Sequence, residues 1–80
     1  MLNEYRIQFY AVCPVNGKEI RYRLKIKSED NLKVEDIKAQ TEFVSRAMHE
    51  DIADMMFNAF GGRQVLKAWH HGVHIKTVRG

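Results

Sequence analysis

The chain is short of the residues that staple, break or anchor a small protein. A single cysteine, Cys13, among 80 residues excludes an intrachain disulfide, and its place on an inward-facing strand position reads as a small buried hydrophobe. One proline, Pro14, and five glycines leave no linker composition, so residues 1–80 are expected to form one small α+β domain. No apolar run approaches the roughly 18 residues a membrane helix needs, and no charged-then-apolar leader opens the chain, so no membrane partner and a cytoplasmic setting are expected.

Motifs that name a reaction are also missing. Ser28 and Ser45 lie in no glycine-flanked elbow, and there is no phosphate-cradling Gly-x-x-x-x-Gly-Lys run. His49-Glu50-Asp51 occupies adjacent helical positions, which diverge by about 100° and cannot act on one substrate atom. His70, His71 and His74 have no cysteine partners, and on an extended strand His70 and His74 would stand roughly 13 Å apart. The expectation is therefore a non-enzymatic protein with no catalytic residue, metal site or cofactor; cleavage of RNA by the histidines is the weaker alternative.

What the sequence does contain is a strongly sorted hairpin. A two-residue turn at Asn16-Gly17 would place Val15 opposite Lys18 and pair outward from there. Cys13 with Ile20, Ala11 with Tyr22, Phe9 with Leu24 and Ile7 with Ile26 then share one face. The other face receives Val12 with Arg21, Tyr10 with Arg23, Gln8 with Lys25 and Arg6 with Lys27. One side is oily and the other cationic.

Charge is sorted along the chain as well. Residues 1–27 carry six Lys/Arg against two Glu, residues 28–60 three against eight acids, and residues 61–80 four against none, so +4, −5 and +4 sum to the net +3. A basic sheet backed by an acidic helix would make the molecule electrostatically two-sided.

The acidic middle has helical apolar spacing: Val34, Ile37, Val44, Met48, Ile52, Met55, Met56 and Ala59 fall on one stripe. One helix from Val34 to Phe60 would be about 40 Å long against about 30 Å for a nine-residue strand. A continuous, overhanging helix is expected, the alternative being a kink at His49–Asp51. Gly61-Gly62 should end it. Arg63 to Val78 is β-favouring, as one strand with a bulge or two strands divided at His70-His71-Gly72. The predicted fold is thus an antiparallel three- or four-stranded sheet, ββαβ or ββαββ, with one long amphipathic helix on one face.

Two surfaces are candidates for binding. Arg6, Tyr10, Arg21, Arg23, Lys25 and Lys27 present cations around an aromatic ring, which suits an anionic partner, nucleic acid before an acidic protein surface. Phe43 and Phe57 lie off the helical stripe and suit a protein interface or a homodimer, as in a small accessory or phage-encoded inhibitor. Trp69 is expected in the core, with an interface role as the alternative.

Overall fold

The structure, a computed structural model, describes residues 1–80. Six elements follow in the order β1 (Asn3–Val12), β2 (Glu19–Ser28), α1 (Val34–Phe43), α2 (His49–Phe60), β3 (Arg63–His70) and β4 (Val73–Arg79). The strands form one antiparallel sheet in the order β1-β2-β3-β4, each strand beside its neighbour in sequence. The α+β class and the four-stranded option hold; the single long helix does not.

Helix α1 stops at Val44, which is 1% exposed, and the following Ser45 carbonyl accepts a hydrogen bond from the Val12 N–H at 2.7 Å. The chain between the helices is thereby pinned to the end of β1, where Val12 and Arg46 form a parallel bridge. Thr41, Val44 and Ser45 are weak helix formers, so leaving the helix here costs little. Helix α2 then starts afresh at His49, with Glu50 and Asp51 in its first turn, where the helix dipole favours acids. The polar triplet His49-Glu50-Asp51, the alternative site for a kink in a continuous helix, marks the beginning of a second one. Val34 and Met48, assigned to the buried stripe, are 58% and 44% exposed as a result.

The hairpin pairs with a register two residues away from that expected. Ile7 faces Leu24, Phe9 faces Tyr22, and Ala11 faces Ile20. The turn is longer: Cys13 N–H donates to the Lys18 carbonyl at 2.9 Å, and Gly17 N–H donates back to the Cys13 carbonyl at 2.8 Å, enclosing Pro14–Gly17 as a four-residue loop. Pro14 is suited to the second position of such a turn, and Gly17, at φ +73°, takes the left-handed position that closes it. Side chains alternate with period two, so an even shift leaves every residue on its expected face.

The tight two-residue turn lies instead between β3 and β4, where His71 and Gly72 both have positive φ, 51° and 83°, the type I′ signature. Helices and sheet enclose a core of Phe9, Ile20, Tyr22, Leu24, Ile26, Val44, Ile52, Met56 and Leu66. Trp69 is not part of it. It lies on the opposite face of the sheet, 61% exposed, because the β3 residues that turn inward are Gln64, Leu66 and Ala68.

Candidate functional site

The helix-free face of the sheet carries the cations in cross-strand rows. Arg6 faces Lys25; Gln8, Arg23, Lys67 and Lys76 follow one another across all four strands; Tyr10 faces Arg21. Among these cations only Arg6 has a carboxylate partner, Glu4 at 2.6 Å. A shallow hollow of about 500 Å³ runs between Arg6, Gln8, Arg23, Lys25 and Lys67. The structure therefore brings the six predicted binding residues to one side and adds Lys67 and Lys76 to them. Phe43, 77% exposed at the end of α1, and the half-buried Phe57 of α2 lie on the helical side, separated from Trp69 by the sheet.

A second site, absent from the sequence reading, lies at the end of the sheet where α2 begins. Cys13 leaves β1 just before the proline turn, Tyr22 points inward from β2, His49, Glu50 and Asp51 open α2, and His70 closes β3. Together with Met48 and Ile75 they line a cleft of about 410 Å³. His49 is 6% exposed, with Nδ1 3.2 Å from His70 Nε2 and Nε2 2.9 Å from Thr77 Oγ1. Tyr22 packs against both rings, with centroids 5.6 and 5.8 Å away.

Burial lowers the pKa of His49, and the neighbouring His70 lowers it further; burial and then His71 do the same to His70. Both rings are neutral at neutral pH, able to pass a proton between them. Tyr22 is pushed up to about 12, first by burial and then by Cys13, which lines the same cleft. Beside them Glu50 is held by Arg79 at 2.8 Å, and Arg79 also binds Asp54 at 2.9 Å.

The sequence did carry a signal for His49. It precedes Ile52, Ala53 and Met56 by three, four and seven residues, and those four side chains are the buried stripe of α2. A histidine on a core stripe needs partners, here Thr77 and His70. The remaining histidines are dispersed: His71 occupies the turn, bonded to Asn16, and His74 stands on the outer face against Trp69, ring centroids 5.0 Å apart. No three His, Cys, Asp or Glu side chains converge as a metal-binding group.

The fold and this end cleft define a small α+β sheet protein with a thiol, two imidazoles and two carboxylates beside one cavity. It is similar over nearly its whole length to a solved structure, the archaeosine synthase QueF-Like in its apo form, with a TM-score of 0.78, 18% identity, and coverage of 98% of this chain and 90% of that one. No protein-family model matches the chain, and no curated protein matches it. The expectation of a non-enzymatic protein is overturned by this likeness, since the shared fold is one that an enzyme uses. Missing sequence motifs excluded only chemistry that announces itself locally. The cleft assembles its polar groups from the β1–β2 turn, β2, α2 and β3.

Proposed function

We propose that this chain modifies a nucleoside carried in a nucleic acid, as an archaeosine synthase does, with the strand held by the basic sheet face and passing round the end of the sheet to bring its target base to the Cys13 cleft on the helical side. The observation that carries the reading is the meeting of Cys13, His49, His70 and Glu50 around one cavity, in a fold shared over 98% of the chain with that synthase. Thiol, neutral imidazole and carboxylate are the parts of nucleophilic catalysis.

In this reading an imidazole nitrogen takes the Cys13 proton, the sulfur forms a bond to an electrophilic carbon of the substrate, and the electron pair of the attacked bond moves to its heteroatom. The imidazolium returns its proton to that heteroatom. Glu50, oriented by Arg79, accepts N–H bonds from the base, and the Tyr22 hydroxyl donates one. Arg6, Tyr10, Arg21, Arg23, Lys25 and Lys27 hold the strand, so binding should weaken steeply with salt.

The test is nucleoside mass spectrometry of RNA from cells producing the wild-type protein, Cys13→Ser or His49→Asn, together with the rate at which iodoacetamide alkylates Cys13. A modified nucleoside present only with the wild type, and alkylation slowed by His49→Asn, support the reading. Identical nucleoside profiles with an alkylation rate unchanged by His49→Asn overturn it.

A second reading, self-association through the helical side, has the 77% exposed Phe43 in its favour. Light scattering of the wild type and Phe43→Ser decides it: a larger particle that Phe43→Ser dissociates supports it, and a monomer in both removes it.

A further inference from the structure

Trp69 is the chain's one tryptophan, yet it stands 61% exposed on the basic face, near the end of β3 beside the β3–β4 turn and one row from Lys67. Tryptophan left in water on a sheet forgoes a large burial gain, so a partner surface is its usual explanation. Its surroundings say which kind. Its ring tilts against His74, the pair bordering a hollow of about 210 Å³ whose other walls are Arg21, Arg23 and Lys67. That volume is below the roughly 300 Å³ at which drug-sized pockets begin and suits a single planar ring.

The charges beside it have no internal purpose. Arg23, Lys67 and Lys76 stand side by side across three strands, and none of them has a carboxylate partner. Neighbouring strands lie about 4.8 Å apart, so these like charges repel at close range. A row of phosphates relieves that repulsion while the bases between them find a stacking surface.

We infer that Trp69 and His74 form a stacking platform for an unpaired base, flanked by Arg21, Arg23, Lys67 and Lys76 as a phosphate track, so that the sheet face selects single-stranded over duplex nucleic acid. The platform rests on the proposed function for the presence of a nucleic-acid substrate and adds how that strand is recognised. A duplex keeps its bases stacked inside and offers the indole nothing to stack on.

Because Trp69 is unique, its fluorescence reports the site directly. The experiment titrates the full chain at low salt with a single-stranded octanucleotide, its abasic counterpart and the matching duplex, each as RNA and as DNA. Saturable quenching by the base-bearing single strand, absent with abasic and duplex forms, is expected. By filter binding, Trp69→Ala should weaken single-strand affinity about ten- to a hundredfold, with Trp69→Phe recovering part of the loss and the salt slope unchanged. Lys67→Ala should instead lower the salt slope by about one.

Equal binding of abasic and base-bearing strands, or a Trp69→Ala variant that binds like the wild type, overturns the platform. So does fluorescence that changes with protein concentration alone, which would give the face to a second copy of the chain. The two readings separate on the wild-type protein: if the strand is bound and quenched but no nucleoside is modified, the cleft chemistry fails and the platform stands.

Discussion

The Nδ1 of His49 lies 3.2 Å from the Nε2 of His70, two imidazoles joined nitrogen to nitrogen with only one proton between them. The far nitrogen of His49 is taken by Thr77 at 2.9 Å, so the three groups form one chain from the core to the cleft. Protonating both rings would set two positive charges side by side, ring centroids 5.2 Å apart and planes inclined at 65°, with partial burial around them.

Stability should therefore depend on acidification. Both folded-state histidine pKa values are lowered below the ordinary 6.5, so the unfolded chain binds protons first. The native state keeps its full advantage above about pH 6.5 and loses it as pH falls from there through the lowered folded values. Urea midpoints measured between pH 7.5 and 5 should fall in that window, and the fall should be smaller in His49→Gln, which keeps a polar group but cannot titrate.

Gln64 is 2% exposed and donates from Nε2 to the carbonyls of Met56 and Gly61, both at 2.9 Å, while its Oε1 has no partner. Gln64→Ala strands two carbonyls at the end of α2 and should cost about 2 kcal/mol in denaturant unfolding. Gln64→Glu removes the donor and buries a carboxyl against those oxygens. It should be the worse of the two.

Two glycines with the same sign of φ should answer a methyl group differently. At Gly72, φ +83°, a Cβ would meet nothing within 4 Å, so Gly72→Ala carries only the left-handed penalty of about 1–2 kcal/mol. At Gly62, φ +69°, a Cβ would sit 2.3 Å from the Lys27 carbonyl oxygen, backbone against backbone. Thermal melts should show Gly62→Ala losing clearly more than Gly72→Ala.

Lys67 lies between Arg23 and Lys76 in one cross-strand row. Lys67→Glu converts two repulsions into two attractions and should stabilise the protein by about 0.5 kcal/mol at low salt, the gain fading in 0.5 M salt. The same change should abolish single-strand binding. A variant that is more stable and less functional is what a face under selection for a partner predicts.

The faces of the sheet were legible in the sequence because alternation is a property of each strand alone. Register was not, because Asn16-Gly17 offers a tight turn while Pro14 starts a longer one, and both preserve the alternation. The broken helix was hidden for a related reason: Val34, Ile37 and Val44 continue the stripe of α2 in phase, and the break depends on Val12 bonding to Ser45, a contact between distant parts of the chain. The cleft was the least visible. Cys13 lies in the β1–β2 turn and Tyr22, His49 and His70 in β2, α2 and β3, so only folding makes them neighbours. Trp69 misled because its composition argues for burial while its parity on β3, one residue after inward-facing Ala68, argues against it.

The two helices are fastened unequally. Gln64, the His49–Thr77 bond and the Arg79 ion pairs tie α2 to β3 and β4, whereas α1 buries only Ile37 and Thr41. Amide hydrogens of α1 should exchange with solvent through a local opening that leaves the rest intact, while those of α2 wait for the whole molecule to unfold. None of the residues that line the cleft belongs to α1, so the helix can open while the side chains around Cys13 and the paired imidazoles keep their places.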